Sequence, residues 1–227
     1  MTAFRLLVFD WDGTLMDSEA RIVECMCAAA ADMGIPVPER AAVRNIIGLG
    51  LREASDALFP TLADDALGGL VERYRNHFLG AAHSPSVLFD GARETLLGLE
   101  QQGYLLAVAT GKGRRGLDEA LGATDLAGVF HATRCADETF SKPHPEMLLQ
   151  VMDELGAAPA ETLMIGDTEY DMEMARNAGT AALAVAYGVH GRDRLLTHRP
   201  LGCLSCISEL GGWLDGVGGA ASAKASA

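Results

Sequence analysis

A short apolar run, Phe4-Arg5-Leu6-Leu7-Val8-Phe9, ends in two aspartates two residues apart, Asp10 and Asp12, with Gly13 and Thr14 directly behind them. A run with so little polar relief reads as a strand buried on both faces, and such strands belong to parallel sheets covered by helices. Side chains alternate along a strand, so Asp10 and Asp12 can point one way while Trp11 points another. Gly13 lets the chain turn at once. Ligand sites of open α/β sheets lie beyond the carboxyl ends of the strands, which is where this pair stands. Two adjacent carboxylates buried without a partner are costly, so a cation is implied. Asp and Gly are also ordinary turn residues, and a solvated turn is the competing reading of this pattern taken alone.

Behind Thr14 the pattern changes. Residues 17–33 carry apolar side chains at helical spacing (Ile22, Val23, Met26, Ala30), with Asp17 or Ser18 as the N-cap and Gly34 and Pro36 as the stop. Helical segments follow over 38–47, 51–59 and 64–78, and no strand-like run falls between residues 15 and 85. From Asp90 onward helices (91–102, 113–121, 145–155, 169–178) alternate with apolar strands (104–109, 129–135, 161–165, 180–186). Alternation at this spacing predicts an α/β fold: a Rossmann-like parallel sheet with helices on both faces. The core would comprise 1–15 and 86–214, with an all-helical cap inserted over 16–85. Residues 215–227, mostly Gly, Ala and Ser, read as a flexible tail.

Lys and Arg number 18 against 31 Asp and Glu, a net charge of −13, which disfavours nucleic acid and anionic membrane as partners. A small anionic substrate remains compatible, because a local cation overrides the global field. No run approaches the ~20 apolar residues of a membrane span, and the N-terminal run is too short for a signal peptide. Five cysteines, an odd number, do not form a disulfide framework, so a reducing cytoplasm is the simplest home. Cys203 and Cys206 form one pair, short of the four ligands of a structural zinc site.

Three further polar clusters stand at strand ends or helix starts. Thr110, with Gly111-Lys112-Gly113, offers a hydroxyl and free N–H groups where phosphate can be held; N-capping also accounts for it. In Ser141-Lys142-Pro143-His144-Pro145 two prolines brace a lysine before a helix, suiting a fixed counter-charge; a solvated loop lysine is the alternative. Gly166-Asp167-Thr168-Glu169-Tyr170-Asp171 puts Asp167 at a strand end and Asp171 four residues on, where capping is again an alternative. Turn chemistry does not explain all four clusters occurring in order along one sheet.

These segments together, DWDGTLMDS at 10–18, Thr110, Ser141-Lys142-Pro143 and GDTEYD at 166–171, resemble the haloacid dehalogenase-like hydrolases over residues 4–188. A helical insertion directly after the first motif is similar to the subgroup holding phosphoglycolate phosphatases and beta-phosphoglucomutases. The resemblance implies a phosphatase acting on a small phosphorylated metabolite in two steps. Asp10 would attack phosphorus and form an aspartyl-phosphate, while Asp12 protonates the leaving oxygen and then activates water. Mg2+ would be held by Asp10, the backbone carbonyl of Asp12, and Asp167. Thr110 and Lys142 would grip the transferring oxygens, with Asp171 orienting Lys142 or a metal-bound water. Asp12 speaks against dehalogenation, and the lack of lysine between Met16 and Val87 against a phosphonatase. A phosphomutase and a non-catalytic binding protein on the same fold are the alternative readings, and the chain would be a monomer or homodimer.

Two positions depart from the family pattern: Trp11 is bulkier than usual, and Gly111 stands where phosphoglycolate phosphatases commonly carry Asn. The cap would exclude water and select the leaving group, hinging near residues 16–18 and 84–87. Gly48-Leu49-Gly50 resembles a specificity loop, with a simple helix break as the alternative. Gly48, Gly50, Arg52, Gly111 and Lys112 are the candidate substrate contacts. Arg44, Asn45, Arg114 and Arg115 are weaker ones.

Overall fold

The computed structural model describes residues 4–80 and 84–225, with side chains to residue 217. Six strands form a parallel sheet in the order β5-β4-β1-β6-β7-β8. Their ranges are β1 Leu6–Phe9, β4 Leu105–Thr110, β5 Ala132–Cys135, β6 Thr162–Gly166, β7 Ala181–Val185 and β8 Cys203–Leu204. Every residue of β1 is buried, and its side chains divide by parity. Leu7 and Phe9 join one core cluster with Leu106, Val108, Leu163 and Ile165. Leu6 and Val8 join another with Ala107, Ala109 and Met164.

Helices cover both faces. On the first lie α5 (Ala92–Gln101), α6 (Arg114–Ala123) and α10 (Leu210–Ala225), through Leu96, Leu117 and Leu210. On the second lie α7 (Glu146–Leu155) and α8 (Glu169–Ala178), through Leu148, Val151 and Ala175. A short helix, α9 (Arg192–Leu196), packs beside β7 and β8.

Between β1 and the rest of the sheet the chain makes α1 (Glu19–Asp32), α2 (Arg40–Asn45), α3 (Leu51–Leu58) and α4 (Asp64–Leu79). They share their own apolar cluster around Ile22, Met26, Val43 and Leu70, into which Val189 of the sheet-bearing part reaches. Its two chain connections pair as an antiparallel ribbon: β2 (Met16–Asp17) against β3 (Val87–Leu88), in register Met16↔Leu88 and Asp17↔Val87. The sequence expectation of no strand between 15 and 85 is corrected here, since two residues are too few to leave a periodic signal.

Two more differences lie at the C-terminal end. β8 completes the sheet with a strand of two residues, one of them Cys203, also too short for pattern reading. The expected loose tail from residue 215 is helical through Ala225 as the continuation of α10, which begins on the buried anchors Leu210 and Leu214. Residues 226–227 of that tail, 1–3 of the core and 81–83 of the insertion lie outside the described residues.

Candidate active site

β1 is central, and its register brings the motifs together. Phe9 lies beside Val108 of β4 and Ile165 of β6, so the chain beyond each strand emerges at one edge. Asp10 continues the pairing by donating its N–H to the Ile165 carbonyl at 2.9 Å. Asp10 and Asp12 reach the cavity at that edge, while Trp11 turns into the core, edge-on to Phe130 at 6.3 Å. Thr110 ends β4, buried, and its hydroxyl accepts the Lys112 N–H at 3.1 Å. It caps no helix: α6 starts at Arg114 with Gly113 before it.

Lys142 arrives from the loop after β5 and is fully buried. Its Nζ lies 2.8 Å from Asp10 Oδ1 and 2.6 Å from Asp171 Oδ1. Burial alone would lower its pKa, but Asp10 and Asp171 outweigh that and raise it, so the ammonium stays charged. Asp171 Oδ2 also accepts from Thr168 N–H and Oγ1–H, so capping and lysine pairing coexist in one side chain. Asp167 lies outside α8, in the turn before it. Its Oδ1 accepts from Thr14 Oγ1 at 2.7 Å and its Oδ2 from Val189 N–H at 2.8 Å. Gly13, at φ +89°, passes so near that a Cβ would stand 2.2 Å from Asp167 Oδ2.

Asp10, Asp167 and Asp171 present oxygens within 4.8 Å of one another, with Lys142 as the ammonium in direct contact. Burial, then Asp171, pushes the Asp167 carboxyl up to about 7. Burial also raises Asp10, against the pull of Lys142. Asp10 Oδ2 is buried and has no hydrogen-bond partner. Three buried carboxylates against one ammonium leave surplus negative charge, which fits a hard divalent cation that takes oxygen ligands. The Asp12 carboxylate is engaged elsewhere. Lys112 Nζ reaches both its oxygens at 3.0 Å, and Ser18 Oγ donates to Oδ1 at 2.7 Å.

The candidate contacts from the helical insertion divide. Gly48, Leu49 and Gly50 lie against the strand ends: Gly50 N–H donates to Ser141 Oγ at 2.7 Å, and a Cβ on Gly111 would come within 2.4 Å of the Leu49 carbonyl oxygen. Arg52 lines the cavity but is paired with Asp56 and Asp64. Arg44 binds Glu19, and Asn45 accepts from Tyr170 and Arg194, tying the insertion to the region around α8 rather than lining the cavity. Arg114 pairs with Glu138, and Arg115 with Glu119. Sequence reasoning missed the roles of Thr14, Ser18 and Val189. The first two sit inside the motif at 10–18, but their partners are visible only in three dimensions. The cavity between insertion and sheet edge measures about 550 Å3.

Comparison with known proteins agrees with the fold. Residues 7–185 match the family model for haloacid dehalogenase-like hydrolases. The chain is 38% identical over 211 residues to the probable phosphatase IndB of Dickeya dadantii (strain 3937), covering 91% of this chain and 92% of that one. It is 31% identical over 209 residues to the pyrophosphatase PpaX of Anoxybacillus flavithermus, covering 90% and 94%. A crystal structure of a predicted phosphoglycolate phosphatase from Haemophilus somnus 129pt superposes with a TM-score of 0.82 at 26% identity, covering 92% of this chain and 97% of that one.

Proposed function

The chain belongs to the haloacid dehalogenase-like hydrolases and is a phosphatase, and from that premise we propose that it hydrolyses a small phosphorylated metabolite through an aspartyl-phosphate on Asp10. The observation that carries this reading is Asp10 Oδ2, a buried carboxylate oxygen without a partner on a side chain that lines the cavity. Its sister oxygen is held by Lys142 and by the Trp11 N–H at 2.7 Å, so the carboxylate is fixed with one oxygen left to react.

In the first step Asp10 Oδ2 bonds to phosphorus while the bond to the leaving oxygen breaks, and Asp12 gives that oxygen a proton. In the second, Asp12 takes a proton from water, whose oxygen displaces phosphate from Asp10. Ser18 and Lys112 hold the Asp12 carboxylate at the cavity wall. Thr110 and Lys142 supply a hydroxyl and a positive charge for the transferring oxygens. Asp171 keeps Lys142 aimed. Asp10, the backbone carbonyl of Asp12, and Asp167 would hold Mg2+, which when bound offsets charge on the phosphoryl group. Residues 16–85 act as a cap that keeps water out during the first transfer and admits it for the second.

Trapping tests the reading. Brief incubation with substrate, acid quench and peptide mass spectrometry should find phosphate on the peptide bearing Asp10. Phosphate on another residue, or a full burst of product with no labelled peptide, would remove Asp10 from the nucleophile's role.

A further inference from the structure

The cavity is far larger than the phosphoryl group needs. Its volume of about 550 Å3 falls in the range that encloses a whole organic ligand, about 300–1,000 Å3. Ile22, Met26, Ile46, Val71, Tyr74 and Leu79 of the insertion give an apolar wall to the cavity that Asp10 and Asp12 also line. Such a wall is wasted on a two-carbon acid and repels a second phosphate, because burying apolar surface is what it offers a ligand.

Charge points the same way. Four cations line the cavity, and three are already committed: Lys112 to Asp12, Arg52 to Asp56 and Asp64, Arg115 to Glu119. The fourth, Arg75, is exposed. Glu53, Glu72 and Asp137 line the same space, beyond Asp10 and Asp12. A leaving group carrying its own carboxylate or phosphate would face these carboxylates with three of the four lining cations already paired and the fourth, Arg75, out in solvent. Resting on the hydrolytic reading above, we propose that the substrate is a phosphomonoester whose leaving group is an uncharged, ring-bearing alcohol of nucleoside size. Its apolar face lies on the Met26–Val71 wall, and its polar edge meets the carboxylates. Phosphoglycolate and pyrophosphate, both with charged leaving groups, are excluded as preferred substrates.

The test compares kcat/KM of the full-length enzyme, with Mg2+, for thymidine 5′-monophosphate, phosphoglycolate and pyrophosphate. Thymidine 5′-monophosphate should lead by about tenfold or more, in line with what a filled apolar pocket discriminates. Val71→Trp, on the wall and away from the reacting groups, should raise KM for the nucleotide about tenfold and leave phosphoglycolate within about twofold. A higher kcat/KM for phosphoglycolate or pyrophosphate overturns the proposal, as does a Val71→Trp effect that is equal on all three substrates. Phosphate released from p-nitrophenyl phosphate alone would uphold the hydrolytic reading and sink this one. No release from any of the four would defeat both.

Discussion

Lys112 Nζ sits 3.0 Å from each carboxylate oxygen of Asp12, with its side chain about nine-tenths buried and its ammonium 4.2 Å from the centre of the Phe78 ring. One side chain from the sheet edge thus joins the proposed proton-transfer group to an aromatic ring of α4. Lys112→Met keeps the stem and removes the charge, freeing Asp12 to rotate about its remaining bond to Ser18. We expect kcat to fall about tenfold to a hundredfold, the scale of a misaligned catalytic group, with KM changed much less. Steady-state kinetics decides it; an unchanged kcat would make Lys112 a substrate contact or a spectator.

Asp10→Asn keeps the volume and the Trp11 contact but removes the nucleophilic oxygen. Phosphate release should drop more than about a thousandfold. The fold should persist, because Lys142 retains Asp171. Circular dichroism and thermal melting check the fold, and residual turnover near the wild-type rate would defeat the assignment.

Gly111 is tightly placed, with room for hydrogen but not for carbon beneath the Leu49 and Gly48 carbonyls. Gly111→Asn, the residue common in phosphoglycolate phosphatases, must push the 48–50 loop away from the strand ends. The expected result is about a tenfold loss of kcat/KM with little change in melting temperature, since the loop rather than the core yields. Wild-type kinetics in this variant would show that the loop moves at no cost.

The raised Asp167 carboxyl makes metal binding and pH interdependent. With its folded pKa near 7, above the usual carboxylate range, the metal-free folded chain holds a proton that the unfolded chain has released. This group's contribution to stability therefore declines as pH rises from about 4 to about 7 and is level above that. Mg2+ binds the ionised form, so it should raise the melting temperature more at pH 8 than at pH 5.5. Activity lost to EDTA should return with Mg2+. Equal thermal shifts at both pH values would place the ion elsewhere.

The elements and motifs that could be read from the sequence are those with local causes. β1, β4 and β6 announce themselves through unbroken apolar runs, Asp10, Thr110 and Asp167 through their places beside strand ends, and Lys142 through the prolines that brace it before a helix. What escaped depends on distant pairing. Thr14 and Asp167 are 153 residues apart, and no periodicity links them. Lys112 and Asp12 are a hundred apart. Asn45 looked like a substrate contact because it flanks a glycine loop, yet its oxygens serve Tyr170 and Arg194. Gly111 looked like a lapse from the family pattern, and only the backbone of residues 48 and 49 above it gives it a reason.

The ribbon of Met16–Asp17 against Val87–Leu88 carries both polypeptide crossings side by side. A body tethered along one such seam can swing about it but cannot glide sideways. Ser18, one residue from the seam, would then sweep the shortest arc, so a swing disturbs its bond to Asp12 least. The bond from Gly50 to Ser141 lies farther along the chain and is made or broken whole. Access to the phosphorus would then be governed by a single rotation, with the proton donor riding on the axle.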